Sequence, residues 1–185
     1  MDLGFRMHAE RTPNPNSVKW VLGQPVVAAG ASAHFQQAPG AEVSPLAERL
    51  FAVAGVIGVF LGGNFVTVTK AADVEWTDIA QPVVDAIKAH AASGEPALGP
   101  GFVARPSEPA GDVEERIRDI IEAEIRPAVA MDGGDVVFAA YHDGVVELYM
   151  QGSCSGCPSS RATLKLGIEA RLKEAVPEVV EVVAL

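Results

Sequence analysis

The sequence predicts an α+β protein of two small domains, the C-terminal one running α-β-β-α-β around a three-stranded sheet. Three observations carry this. Apolar residues recur at helical spacing in some segments and at strand spacing in others. Residues 92–111 hold four Gly and four Pro in twenty positions and keep neither period. The only two cysteines stand three apart in Gly152-Ser153-Cys154-Ser155-Gly156-Cys157-Pro158, between a strand-like run and a helix-like one.

At 185 residues the chain is long enough for one ordinary domain or two small ones, and 49% hydrophobic content is enough for a packed core. Residues 92–111 read as a flexible linker between domains 1–91 and 112–185. As a flexible coil it would span about 25 Å root-mean-square, leaving the flanking domains free to move independently. Residues 112–185 carry 7 Lys/Arg against 14 Asp/Glu, and residues 1–91 carry 6 against 8, so most of the net −10 lies in the C-terminal part.

In the N-terminal part, Val18 to Leu22 reads as a short strand, with a weaker one near Val26 to Ala33. Ser44-Pro45 is a helix cap followed by a first-turn proline, leading into a short helix with Leu46, Leu50 and Phe51 inward. Ile57 to Leu61 and Phe65 to Thr69 flank Gly62-Gly63-Asn64 and read as a hairpin. Trp76, Ile79, Val83 and Ile87 mark a closing helix whose start Pro82 leaves uncertain.

In the C-terminal part, Asp112-x-x-Glu115 has a capping-box pattern. Val113, Ile117, Ile120, Ile121 and Ile125 continue one helical stripe. Pro127 should kink or end that helix, and Gly133-Gly134 should stop it, by turn chemistry rather than by contact with a bound group. Val136 to Tyr141 and Val145 to Gln151 are strands joined at Asp143-Gly144, with Val146, Leu148 and Met150 on one face. Pro158 suits the first turn of a helix striped by Leu164, Ile168, Leu172 and Ala175. Pro177 ends it, and Val179 to Leu185 is a final strand.

Composition excludes several roles. An acidic chain, with a pI near 4.8, lacks the basic patch that nucleic acid or an anionic membrane requires. No run approaches the roughly 20 apolar residues of a membrane span. The opening Met1-Asp2-Leu3-Gly4-Phe5-Arg6 lacks a secretory leader's apolar stretch and is too short for a transit peptide, so cytoplasm is the expected compartment. His8, His34, His90 and His142 have no ligand spacing to one another and read as surface or satisfied histidines.

A lone C-x-x-C in such a chain points to metal or redox chemistry rather than to a structural disulfide. Three readings compete. A dithiol oxidoreductase would exploit the lowered thiol pKa of cysteines at a helix start. Thioredoxin-like folds, however, lead into their dithiol through a β-α-β unit, not a hairpin. A zinc site needs four ligands, and His142 is the only histidine near. An iron–sulfur cluster could be shared by two chains, each giving Cys154 and Cys157. The small neighbours Gly152, Ser153, Ser155 and Gly156 would permit close approach of cluster and partner chain. Arg161 and Lys165, on the following helix, read as a solvated face rather than as cluster partners.

The set Ile125-Arg126-Pro127, Asp132-Gly133-Gly134-Asp135, Gly152 to Ser160, Thr163-Leu164-Lys165 and Pro177-Glu178-Val179 resembles the C-terminal domain of the NifU/Nfu iron–sulfur scaffold family. Residues 1–91 resemble the Nfu N-terminal domain through Thr12-Pro13-Asn14-Pro15-Asn16, Ser44-Pro45-Leu46-Ala47, Leu50-Phe51, Gly55-Val56 and Phe65 to Lys70. The resemblance implies a non-enzymatic carrier. It implies a homodimer binding one 4Fe-4S cluster through Cys154 and Cys157 of each chain. It further implies an upstream cluster donor and apo iron–sulfur client proteins, with residues 1–91 as a recognition domain.

Overall fold

A computed structural model describes residues 5–103, 111–156 and 158–185. Two sheets organise them. The first is formed by β1 (Met7–Arg11), β2 (Ser17–Leu22), β3 (Ala33–Phe35), β4 (Val56–Gly62) and β5 (Phe65–Lys70), in the antiparallel order β1-β2-β5-β4-β3. Helices α1 (Pro45–Phe51) and α2 (Trp76–Ser93) supply its apolar partners. Ser44 caps α1 as expected, its Oγ accepting from the Ala47 N–H at 3.1 Å.

Alternation along the strands sorts this sheet into two faces. Trp20, Leu22, Val59, Leu61, Val66 and Val68 point one way and join Leu46, Leu50, Val83 and Ile87 in one core. Lys19, Phe60, Phe65 and Thr67 point the other way, and they too are buried.

The N-terminal elements depart from expectation in two places. The weaker strand lies at Ala33–Phe35, because Gly30 at φ +78° turns the chain just before it. Strand β1, with its mixed pattern Met-His-Ala-Glu-Arg, was not expected; it pairs along β2 as an edge. The start of α2, which Pro82 left uncertain, lies at Trp76, and the helix carries the proline inside it.

The stretch expected as a linker begins inside α2, and its first half packs back on the N-terminal core. The Gly99 and Gly101 N–H groups donate to the Val43 and Glu42 carbonyls, both at 2.9 Å, and the Ser44 hydroxyl donates to the Ala97 carbonyl at 2.6 Å. Residues 104–110 of that stretch lie outside the described residues.

The C-terminal elements follow the predicted order: α3 (Asp112–Ile120), α4 (Arg126–Met131), β6 (Gly134–His142), β7 (Val145–Gly152), α5 (Pro158–Ala175) and β8 (Glu181–Ala184). The three strands form a sheet ordered β6-β7-β8, with β8 parallel to β7. Asp143 and Gly144 both take positive φ, +49° and +84°, as a two-residue hairpin turn requires. The expected capping box does not form: Gly111 stands at the N-cap and Asp112 is already helical. Pro127 does not end the helix. A π turn over Ile121–Ile125 joins α3 to α4 and places Pro127 in the first turn of α4, where its missing N–H is tolerated. Ile117, Ile121, Ile125 and Val129 then meet Val136, Leu148, Leu172 and Val182 in a second core.

Candidate cysteine-loop site

The site is built where β6 starts and β7 ends. Gly133, at φ +78°, stops α4 and turns the chain into β6. Gly134 pairs with Gly152 in the β6–β7 ladder. Gly152, at φ +67°, then releases β7 into a 3₁₀ turn, Ser153–Ser155, which carries Cys154. Glycine is required at 134 by space: a Cβ there would lie 2.6 Å from Cys154 Sγ and 2.7 Å from the Gln151 carbonyl oxygen. The pair therefore divides its work. Gly133 serves the turn, as the sequence suggests, and Gly134 makes the seat for the Cys154 sulfur.

Hydrogen bonds fix the turn. Ser153 Oγ donates to the Asp132 carbonyl at 2.5 Å, Ser153 N–H to the Gly133 carbonyl at 3.2 Å, and Ser155 Oγ to the Gly152 carbonyl at 2.8 Å. Cys154 is a free thiol and is only 5% exposed. Burial pushes it above the ordinary thiol range. The Ser153 hydroxyl at 3.8 Å opposes the shift, while the negative charges of Asp132 and Asp135 add to it. The lowered pKa expected of a cysteine at a helix start is thus not found at Cys154: it sits in a buried turn before α5, not on the helix's first N–H groups. Cys157 lies outside the described residues.

A cavity of about 340 Å³ opens beside Cys154, lined by Pro13, Asp132, Ser153, Cys154, Ser159, Thr163 and Leu164. Among the described residues no group of three or more His, Cys, Asp or Glu could hold a metal ion. Among the described residues, Arg161 and Lys165 pair with the C-terminal strand and its end. Arg161 donates to the Ala184 and Leu185 carbonyls at 3.3 Å, and Lys165 faces Glu181 at 3.8 Å. Of the histidines, His8 pairs with Glu10 at 2.9 Å. His90 departs from expectation: it is buried in α2, and its Nδ1 has no hydrogen-bond partner among the described residues.

Residues from the N-terminal sheet also reach the site. Asn14 Nδ2 donates to the Ser153 carbonyl at 3.3 Å. Thr67 Oγ1 donates to the Gly133 carbonyl at 2.7 Å, and Lys19 Nζ to the Met131 carbonyl at 3.3 Å. Arg126 forks onto Asp135 with two bonds of 2.7 Å, and Ser32 Oγ donates to the same carboxylate at 2.6 Å. That carboxylate holds the Arg126 pKa above its ordinary value. Sequence reasoning did not place these residues at the cysteine loop. A signal existed: Val59-Phe60-Leu61 and Phe65-Val66 are apolar at consecutive positions, the mark of strands buried on both faces.

Comparison with known proteins agrees with this architecture. Residues 7–94 match the family described as scaffold protein Nfu/NifU N terminal, and residues 117–183 match the NifU-like domain family. The chain belongs to the Nfu/NifU family. It is 42% identical over 176 residues to the NFU1 iron-sulfur cluster scaffold homolog, mitochondrial, of Drosophila persimilis, and 43% identical to that of Drosophila erecta. Each alignment covers 94% of this chain and 62% of the relative, so the chain spans less than two thirds of the length of these curated proteins. A NifU-like protein of Saccharomyces cerevisiae, solved by solution NMR, superposes with a TM-score of 0.48 at 24% identity, over 54% of this chain and 91% of its own. The expectation of a cytoplasmic protein is overturned here: the relatives are mitochondrial and point to that compartment. A short run of residues without leader character is no guide to location.

Proposed function

We propose that this protein is an iron–sulfur cluster scaffold and carrier. Two chains, each giving Cys154 and Cys157, hold one 4Fe-4S cluster between them and pass it to apo-proteins. The observation that carries the reading is the Cys154 seat. A free thiol is packed against Gly134, at the wall of a cavity, in a chain whose two cysteines are half of a four-thiolate set. The scaffold names of the mitochondrial relatives support it.

The cluster is cargo. The chain's own residues hold the sulfur in place and shape the space beside it. Cluster thiolates split between two chains are never enclosed by one, so client cysteines can replace them one at a time by ligand exchange. Such a carrier performs no catalysis. Its partners are a second copy of the chain, an upstream cluster donor and apo iron–sulfur clients. The dithiol oxidoreductase is the weaker reading, because the chain enters the cysteine loop from the β6–β7 hairpin and not from a β-α-β unit.

Anaerobic reconstitution tests the proposal. A dimer with about two iron and two sulfide per chain is expected from four cysteine ligands per 4Fe-4S centre. Four iron on a monomeric chain would overturn it, as would retention of the cluster in Cys154→Ser or Cys157→Ser.

A further inference from the structure

The outer face of the N-terminal sheet has an occupant: the chain's own cysteine loop. Thr67 closes on Gly133, and a Cβ on Gly133 would sit 2.9 Å from Thr67 Oγ1 and 3.2 Å from Lys19 Cβ. Phe60 packs at Gly152, where a Cβ would meet its ring at 3.1 Å. Asn14 reaches the loop backbone from Ser153 to Gly156. It binds the Ser153 carbonyl, and a Cβ on Gly156 would lie 2.9 Å from its Nδ2. Pro13, from the same N-terminal turn, forms one wall of the cavity beside Cys154.

The contact covers the Phe60 ring and adds specific polar bonds. Its bonds run from side chains of one half to main-chain carbonyls and a carboxylate of the other. Its cations, Lys19 and Arg126, bridge an N-terminal half of net charge −2 and a C-terminal half of −7. Interfaces of this polar kind between domains resemble transient protein–protein contacts, which open and close.

We propose that this docking is a closed state of the protein. The N-terminal sheet caps its own cysteine loop, and it must leave before a second chain can bring its cysteines there. The role of the loop rests on the scaffold reading above; the docking itself does not. The small residues that would let two loops meet around a shared cluster are the ones now covered. Gly152, Ser153 and Gly156 each face a side chain of residues 14–60. A second loop cannot occupy the same van der Waals space as Asn14 and Phe60. Capping and pairing therefore exclude each other, and the cap sets how readily chains pair on loading.

The test uses the full chain and two variants of the outer face, Thr67→Glu and Lys19→Glu. Each places a negative charge against main-chain carbonyls, and neither residue belongs to the inner core. Circular dichroism selects the variant that keeps its secondary structure. Cys154 alkylation by iodoacetamide, mapped by peptide mass spectrometry, reports opening without any metal, and small-angle scattering gives the radius of gyration. The wild-type apo chain should be compact and slow to alkylate at Cys154. An opened variant should be larger and react about tenfold faster or more, since a buried thiol reacts only through opening. On anaerobic reconstitution it should form the cluster-bound dimer faster. An opened variant that pairs at the wild-type rate would overturn the proposal. So would fast Cys154 alkylation in the wild type, or folded variants of both kinds that stay compact and unreactive. A wild-type chain that takes up no iron would end the scaffold reading, while slow wild-type alkylation released by Thr67→Glu would still uphold the docking.

Discussion

The five-stranded sheet buries both of its faces, but against different materials. Its inner face presents Trp20, Leu61, Val66 and Val68 to the apolar stripes of α1 and α2. Its outer face presents Lys19, Phe60 and Thr67 to the glycines and carbonyls around the cysteine loop. The inner contact is held by area removed from water, which is non-directional and cannot be exchanged without unfolding. The outer contact covers Phe60 but leans more on a few directional bonds, which water can replace when the faces part. One sheet thus combines a permanent face with an exchangeable one.

The inner face should be the more costly of the two to damage. Leu61 is fully buried among the α1–α2 core, so Leu61→Ala should lower stability by about 2–5 kcal/mol through lost burial and a residual cavity. Urea titration of apo protein measures it. Thr67→Val, at the same depth on the outer face, should cost far less in that titration and act on Cys154 reactivity instead. Equal costs for the two would mean the faces are not energetically distinct.

A smaller effect is expected at the loop. In Gly134→Ala the new methyl meets the Gln151 carbonyl and Cys154 Sγ. The carbonyl belongs to β7 and cannot turn away, so the β6–β7 edge must shift, at about 1–3 kcal/mol for an overpacked site. Iron retention after reconstitution should fall well below wild type, because the sulfur loses its seat. Full retention would remove Gly134 from the account of the site.

The third change touches the outer face alone. Ser32→Ala removes a 2.6 Å hydrogen bond to Asp135, which keeps both bonds from Arg126 and one from its neighbour's N–H, Val136 N at 2.8 Å. The loss should be about 1–2 kcal/mol, in the range of a hydrogen bond to a charged group. It should appear as faster Cys154 alkylation, with little change in the urea midpoint of the N-terminal core.

Much of this was legible in the residues, and the failures share a cause. Periodicity located α5, the β6–β7 hairpin and the Ser44 cap because each depends on neighbours close in sequence. The cysteine pair and its glycine surroundings stand out as a candidate site for the same reason. What the sequence did not yield depends on residues far apart. The π turn that accommodates Pro127 follows from how Ile121 and Ile125 pack on the C-terminal sheet. The rise of the Cys154 pKa follows from burial, which no motif records. Strand β1, Met7-His8-Ala9-Glu10-Arg11, has no clear apolar alternation and reads as loop until β2 offers its edge. The meeting of Asn14, Lys19 and Thr67 with the loop spans more than a hundred residues for Asn14 and Lys19, and only the double-sided burial of β4 and β5 hints at it.

The smallest effect is a pH dependence on the same outer face. His34 stands opposite Phe60 in the β3–β4 ladder, with ring centroids 6.3 Å apart. Burial lowers its pKa from 6.5 to about 4. The folded protein therefore binds the His34 proton less readily than the unfolded chain. Above pH 6.5 neither state is protonated and the histidine has no pH effect. As pH falls from 6.5 toward 4, the unfolded state takes up the proton first, so stability declines across that window and levels off below it. The carboxylates with lowered pKa values, Glu10, Glu95, Glu124, Glu169 and Glu178, contribute stability that is lost only as pH falls below about 4.5, the upper edge of their titration. His90 is also lowered by burial and acts with the same sign as His34, so the wild-type slope alone does not isolate one histidine. The difference between wild type and His34→Phe does. Urea midpoints measured between pH 7 and pH 4.5 should converge less steeply in the variant, which has no proton to gain at that position. Parallel slopes in the two proteins would place His34 in contact with water, and would weaken the claim that the outer face is as closed as the inner one.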